Sequence, residues 1–160
     1  MKKLILLILL TPILPSCNIH MNNIGRHIRE IKLTAYTHNE KDHLKYRKQT
    51  AIGTKLQPKK SIASDWSVYP VDTVLKIEGH EYKVDDYGSA LVKQDYNVTP
   101  PVIDIYVPSF REMNRFGAKM TTDVQVVHMG DWQKSLAILS ERRKFAHCDL
   151  MYRRIEEQLR

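Results

Sequence analysis

Short apolar stretches separated by turn residues fill the middle of this chain, and they constrain its fold more than any other feature. Residues 31–36 alternate apolar and polar side chains, as a half-buried strand does, and residues 102–107 form the most strongly β-type run. Further predicted strands cover 50–54, 61–65, 73–77, 82–85 and 121–128, and a short helix is predicted over 110–116. About six short strands in roughly 100 residues indicate a small closed β-barrel.

The segment after residue 130 has a different periodicity. Asp131 is a predicted N-cap, and the apolar residues that recur at helical spacing are Trp132, Leu136, Leu139, Ala146 and Leu150. We therefore predict one long helix over 131–160, packed on the barrel. Its basic residues lie largely off the apolar face, where they are either simply solvated or in contact with an acidic polymer or lipid.

The N-terminus carries an export pattern. Lys2 and Lys3 precede an apolar run over 4–10, which is shorter than the roughly 20 residues of a membrane-spanning helix. Leu14-Pro15-Ser16-Cys17 then resembles a bacterial lipobox, which predicts a signal peptide over 1–16, acylation of Cys17 and a polar tether over 17–30. Asn18, in place of an Asp, favours the periplasmic face of the outer membrane. An ordinary secretory signal is the alternative.

Charge and cysteine content narrow the possible partners. The 160-residue chain has a formal net charge of +7, which suits anionic lipid, wall polymer or nucleic acid. Export and the absence of a recognisable nucleic-acid-binding motif argue against nucleic acid. Once Cys17 is acylated, Cys148 has no partner within the chain, so it is either a buried helix residue or the site of an intermolecular disulfide. The histidines show no metal-ligand spacing, and we expect neither metal nor cofactor.

Three aspartates at strand ends are the candidate chemical groups. Asp65 lies before Trp66, Asp86 lies before Tyr87, and Asp104 lies between two isoleucines. An Asp inside an apolar strand is either paired or functional, because an unpaired buried carboxylate is costly. Asp85, next to Asp86, is predicted to be a surface charge.

These segments together resemble the three-aspartate (3D) domain, the double-psi barrel shared with A-type membrane-bound lytic transglycosylases and related to expansins. The pieces occur in that family's order over 32–127: Leu33-Thr34-Ala35-Tyr36, Thr50-Ala51-Ile52-Gly53-Thr54, the segment from Asp65 to Pro70, Asp86-Tyr87-Gly88-Ser89-Ala90 and Ile103-Asp104-Ile105-Tyr106. The resemblance implies a mainly β fold, a six-stranded double-psi β-barrel over 31–128 followed by the long C-terminal helix.

The resemblance also implies cleavage of peptidoglycan glycan strands. In lytic transglycosylases the C6 hydroxyl of the sugar closes onto C1, and one carboxyl group acts first as acid and then as base. Asp104 matches that acid/base, and Asp86 matches the neighbouring carboxylate. Burial and the Asp86 charge are expected to raise the pKa of Asp104.

The same resemblance suggests supporting roles for other residues. Asp65 is assigned to structure or substrate positioning, and Thr34 to a hydrogen bond with a carboxylate or sugar. The rings of Tyr36, Trp66 and Tyr87 are candidates for stacking on sugars.

One departure from the family keeps two functions open. Residues 93–101 are an insertion with two prolines between Asp86 and Asp104. The first function is a lipid-anchored lytic transglycosylase. The alternative is a non-catalytic, expansin-like lipoprotein that binds or loosens peptidoglycan, with carboxylates that hydrogen-bond internally or only bind glycan. A groove blocked by residues 93–101 or by the C-terminal helix would favour the second.

Overall fold

The computed structural model describes residues 30–41 and 43–160. The signal peptide predicted at 1–16, the acylation site Cys17 and all but the last residue of the predicted tether lie outside the described residues. Within the described part, no helix is both long enough and apolar enough to cross a membrane.

Seven strands and three α-helices make up the described fold. The strands are β1 (Ile31–Tyr36), β2 (Ser61–Ala63), β3 (Val74–Ile77), β4 (His80–Asp86), β5 (Val102–Tyr106), β6 (Lys119–Thr121) and β7 (Val124–His128). The helices are α1 (Phe110–Phe116), α2 (Trp132–Ser140) and α3 (Ala146–Leu159). Short 3-10 turns at Leu44–Tyr46 and Ser89–Leu91 lie in two of the loops.

The strands form one mixed sheet in the order β6-β1-β5-β2-β4-β3-β7. Strand β1 runs parallel to β5, β2 runs parallel to β4, and β2 is antiparallel to β5. Among the described residues β6 and β7 end the sheet without pairing to each other, so the sheet is open. The prediction of a mainly β fold with C-terminal helical structure is confirmed. The six-stranded closed barrel is not observed, because seven strands are present and their ladder is linear.

The two faces of the sheet have different partners because side chains alternate along each strand. One face supplies Ile31 and Leu33 of β1, Ile62 of β2 and Ile103 of β5 to the main core, which also contains buried residues of both C-terminal helices: Leu139, Cys148, Met151 and Ile155. The opposite face carries a smaller apolar cluster, formed by Tyr36, Leu56, Ala63, Leu91, Val102 and Tyr106. The polar residues of the candidate site belong to this second face.

The single helix predicted over 131–160 is wrong. Helix α2 begins after its N-cap Asp131, whose side chain accepts from the Lys134 amide, as predicted, but it ends at Ser140. Residues 141–145 form turns before α3 begins. Arg142 lies in this turn, and its guanidinium donates to the Ala51 carbonyl at 2.9 Å.

Residues 50–54 are also not a strand. Thr50 N–H donates to the Thr54 carbonyl at 2.8 Å, and Gly53 has a φ of +80°, so the segment is a tight turn. A single bridge between Gln49 and Lys55 flanks it. The β-branched residues that suggested a strand serve the turn instead, since the Thr50 and Thr54 hydroxyls hydrogen-bond each other at 2.9 Å.

Candidate functional site

Residues from four neighbouring strands form a row across the second face of the sheet. The backbone register aligns Thr34 with Asp104, Asp104 with Ala63, and Ala63 with Asp86. A bulge between Ile62 and Ala63 shifts the β2–β4 register and places Asp86 in the row. Two strand spacings put the Asp86 and Asp104 Cα atoms about 10 Å apart, with only the methyl group of Ala63 between them. The two predicted catalytic aspartates therefore share one face.

Asp104 keeps partial exposure and is held by one hydroxyl. The Thr34 Oγ1 donates to Asp104 Oδ1 at 2.5 Å, which is the carboxylate contact that the sequence suggested for Thr34. Burial raises the pKa of Asp104 to about 6, and the Thr34 hydrogen bond lowers it in opposition. The charges of Glu40 and Asp86 raise it further. The direction agrees with expectation, but Glu40, from the loop after β1, was not predicted to contribute.

Asp86 is enclosed by donors instead of facing solvent. Asp86 is only 5% exposed to solvent. One oxygen accepts from the amides of Ala51 and Tyr87 at 3.0 and 2.9 Å, and the other accepts from the Tyr36 hydroxyl at 2.9 Å and lies 3.4 Å from His43 Nε2. The hydroxyl of Tyr36 and the two backbone amides all donate to this carboxyl group, so both of its oxygens are already hydrogen-bonded within the protein.

The aromatic rings proposed to stack on sugar are largely internal. Trp66 is 0% exposed, and its Nε1 donates to the Asp86 carbonyl at 2.9 Å, so burial excludes sugar stacking and leaves the structural role. Tyr36 is 7% exposed, and burial raises its pKa well above the usual value, so its hydroxyl remains a donor to Asp86. Tyr87 is half-buried, with its ring edge-on to Trp66 at 5.0 Å.

Asp65 belongs to a different part of the molecule. It accepts from the amide and hydroxyl of Ser67 at 2.7 and 2.6 Å and from the Tyr96 hydroxyl at 2.5 Å. Arg154 of α3 lies 3.5 Å away. The structure thus favours the structural role for Asp65, because its oxygens are already occupied by protein groups.

The inserted segment 93–101 packs toward α3. Its Tyr96 reaches Asp65, and the carbonyl of Gln94 accepts from Arg154 at 2.9 Å. Within the described residues, no hydrogen bond from this segment reaches Asp86 or Asp104. The buried residues of α2 and α3 also belong to the main core, on the other face of the sheet. The hydrogen bonds of the inserted segment therefore lie at Asp65 and α3, whereas the turn between the C-terminal helices reaches the site through Arg142.

Asp85 was predicted to be a surface charge, and that prediction is wrong. It is buried at the β-bulge, where Oδ2 accepts from the Ser61 hydroxyl at 2.7 Å and Oδ1 has no partner among the described residues. Burial raises its pKa to about 6, with the Ser61 hydrogen bond opposing and the Asp86 charge adding to the shift. Two adjacent aspartates at the end of a predicted strand gave no signal of this, since it depends on the bulge between β2 and β4.

Several contributors to the site had no recognisable sequence signal. Glu40 and His43 lie in a charged loop without periodicity, and Arg142 lies in a basic run that suggested a solvated surface. Arg142 Nη1 donates to the Tyr87 hydroxyl at 3.1 Å and Nη2 to the Ala51 carbonyl. It thus contacts both residues whose amides bind Asp86.

Cys148 of α3 packs next to Tyr87. Its thiol is fully buried and lies 3.4 Å from the Tyr87 hydroxyl, and burial raises its pKa. A buried thiol with a raised pKa is unreactive, which favours the predicted packing role over an intermolecular disulfide.

Over residues 30–41 and 43–160, no three His, Cys, Asp or Glu side chains are grouped to hold a metal ion. No protein-family model and no curated protein matches the chain.

Proposed function

We propose that this protein acts on peptidoglycan glycan strands by lytic transglycosylation, with Asp104 as the acid and base. The row of Thr34, Asp104, Ala63 and Asp86 on one sheet face carries the proposal. A general acid near neutral pH needs a raised pKa, partial exposure and a fixed orientation, and Asp104 combines all three.

The proposed reaction uses one carboxyl group twice. Protonated Asp104 gives its proton to the glycosidic oxygen as the bond to C1 breaks, which leaves an oxocarbenium-like centre. The C6 hydroxyl of the same sugar then bonds to C1, and the Asp104 carboxylate takes the hydroxyl proton. The product is a 1,6-anhydro sugar, and Asp104 regains its starting state.

Asp86 has an electrostatic part in this proposal. Three donors occupy its oxygens, and His43 lies 3.4 Å away, which keeps Asp86 from touching a sugar, but its charge raises the pKa of Asp104. Asp86 is therefore a positioning residue that acts through Asp104, and the Ala51 amide in the loop between β1 and β2 donates to it.

The proposal also includes a family and a cellular location for this protein. We infer a relative of the double-psi barrel of three-aspartate domains, which the two parallel strand pairs β1/β5 and β2/β4 support. The lipobox-like pattern at Cys17 supports export and lipid anchoring, with the outer membrane's periplasmic face as the proposed location.

The test is digestion of purified sacculi by the full chain in detergent, with products identified by mass spectrometry. We expect 1,6-anhydromuropeptides from the wild type and at least a 100-fold loss in Asp104→Asn. Asp123→Asn, at an exposed position, is the matched control and should retain activity. Absence of anhydro products from the wild type, or full activity of Asp104→Asn, would refute the proposal.

A second candidate, a non-catalytic wall-binding lipoprotein, is supported by the burial of the rings. Trp66 and Tyr36 offer no face to a sugar, and Asp86 has no free oxygen. This function predicts sacculus pelleting that survives Asp104→Asn and weakens with salt, without product release.

A further inference from the structure

A short hairpin over 48–56 contacts Asp86, and we name it, together with the preceding 3-10 turn, the basic hairpin (residues 44–56). Leu56 N–H donates to the Lys48 carbonyl at 2.9 Å, and Thr50 N–H donates to the Thr54 carbonyl. The Gln49–Lys55 bridge lies between these two bonds. The hairpin is therefore a defined element of structure, with an inner and an outer side.

The inner side of the basic hairpin is fixed to the candidate site. Ala51 N–H donates to Asp86 Oδ1, and Leu56 is buried in the apolar cluster of the second face. The Arg142 guanidinium donates a hydrogen bond to the Ala51 carbonyl. The outer side is thereby kept at a constant position relative to the aspartate row.

The outer side is strongly cationic. An open depression of about 680 Å³ is lined by Lys45, Tyr46, Arg47, Lys48, Gln49, Gly53 and Lys55. Across the described part of the chain, these four cationic side chains form no ion pair, and the Lys45 ammonium lies 4.7 Å from the Tyr46 ring centroid. Four unpaired cations around one depression create a positive potential that favours a ligand with several negative charges.

We propose that the basic hairpin is a subsite for the carboxylate-bearing stem peptides of the glycan strand. This proposal rests on the proposed function for the identity of the ligand. Stem peptides project from the sugars, so a strand lying over Thr34 and Asp104 would bring carboxylates to the neighbouring hairpin. Arg47 supplies a planar donor fork suited to carboxylates, and the lysines supply point charges.

The hairpin lies beside the aspartate row, which favours a ligand that also lies over that row. The chain enters β1 at Ile31, whereas the hairpin contacts Asp86, to which Tyr36 at the other end of β1 also donates. These ends are about 17 Å apart along the strand. The hairpin thus lies near the end of β1 opposite to the one at which the chain enters the sheet. Leu44 and Tyr46 are 58% and 51% exposed beside the cations, so a membrane surface is included in the test.

The experiment compares how tightly full-length variants bind three probes at low and high salt. Binding to sacculi is measured in detergent. The variant Lys48→Glu/Lys55→Glu reverses two charges of the depression, and Arg111→Glu/Arg115→Glu makes the same charge change on exposed α1 as the matched control. The probes are intact sacculi, sacculi stripped of stem peptides by an amidase, and vesicles containing phosphatidylglycerol. We expect the hairpin variant to bind intact sacculi about 10-fold more weakly at low salt, and the control within about 2-fold of wild type.

The outcomes separate the possible ligands. A hairpin effect that disappears on stripped sacculi supports the subsite. Equal losses in both variants, an undiminished effect on stripped strands, or an effect confined to vesicles would overturn it. Lys48→Gln/Lys55→Gln gives the same comparison without charge reversal if the glutamate variant does not fold, as judged by circular dichroism. Binding is scored without cleavage, so a chain that binds in this way but releases no anhydro product refutes the lytic activity and leaves the subsite standing.

Discussion

At Asp104, burial and a hydrogen bond act on the carboxyl group in opposite directions. Burial favours the protonated acid and raises the pKa to about 6, whereas the Thr34 hydroxyl stabilises the charged form. We expect Thr34→Val to remove that stabilisation and raise the pKa of Asp104 by about 1 unit, because a hydrogen bond to a charged group contributes about 1.5–3 kcal/mol. A ¹³C NMR titration of the Asp104 carboxyl in the full chain measures the shift.

The comparison variant for this titration is Thr34→Ser. It keeps the hydroxyl and removes one methyl group, so its titration should stay close to that of the wild type. An unchanged or lowered pKa in Thr34→Val would contradict the role given to the hydrogen bond. Asp104→Asn identifies the resonance.

Asp85 is a second buried carboxyl, and it destabilises the fold when charged. Its pKa of about 6 in the folded state exceeds the unfolded value of about 3.9, so the folded state binds the proton more tightly. The resulting stabilisation is complete below about pH 4 and is lost as the pH rises through 6. We expect Asp85→Asn to raise the free energy of unfolding by about 2 kcal/mol at pH 7.5 and by almost nothing at pH 4, measured by urea unfolding.

The exposed Asp123→Asn variant is the control for Asp85. Its side chain makes no hydrogen bond in the described part of the chain, so its stability should follow that of the wild type at both pH values. If Asp85→Asn were destabilising at pH 7.5, the buried charge would have a partner that the described contacts do not include.

Among the elements, the turn between α2 and α3 acts on the site through Arg142. Its guanidinium bonds to the Ala51 carbonyl and the Tyr87 hydroxyl, and the amides of both residues bind Asp86. We expect Arg142→Ala to lower the free energy of unfolding by about 2 kcal/mol, since it leaves partly buried acceptors unpaired. Hydrogen exchange of the Ala51 amide should also become faster.

Arg143 provides the matched control in the same turn. It pairs with Asp149 at 2.7 Å on the surface, and both side chains are partly exposed. Such an exposed pair contributes little to stability, so Arg143→Ala should be nearly neutral and leave Ala51 exchange unchanged. Equal effects of the two variants would mean that the basic run acts only through its net charge.

The same turn shows which elements a sequence pattern can predict. Period-2 alternation predicted β1 correctly, a run of strongly β-forming residues predicted β5, and Asp131 was correctly predicted as an N-cap, because these features depend on nearby residues. The break after Ser140 comes where Arg142 contacts residues that are far away in sequence. No local periodicity encodes such a contact, so the helix was predicted as continuous.

In the candidate site, too, features that depend on local sequence could be predicted and features that depend on distant contacts could not. Thr34 and Asp104 could be named because polar residues in apolar strands are conspicuous, and their pairing follows from the β1–β5 register. The burial of Trp66 and Asp85 could not be deduced, since it depends on a bulge and on the packing of α3 against the loop after β2. The pairing of polar residues on neighbouring strands was therefore more predictable than the burial of individual side chains.

At the scale of the whole molecule, Asp65 joins three segments that are distant in sequence. The Tyr96 hydroxyl and the Arg154 guanidinium both lie against its Oδ2, and Arg154 also donates to the Gln94 carbonyl and lies 5.6 Å from the Tyr96 ring centroid. The loop after β2, the inserted segment and α3 thus share one carboxylate. Tyr96 and Arg154 should be energetically coupled, because losing either changes what the other contacts.

A double-mutant cycle with Tyr96→Phe and Arg154→Ala measures that coupling from urea unfolding of the full chain. Each single variant should cost about 1–2 kcal/mol, and the double variant should differ from their sum by at least about 0.5 kcal/mol. The control cycle pairs Tyr96→Phe with Arg153→Ala, whose guanidinium contacts only the surface Asp149 among the described ion pairs, and it should be additive. Additivity in both cycles would mean that the inserted segment and α3 stabilise the sheet independently, and Asp65 would then bind each of them without linking them.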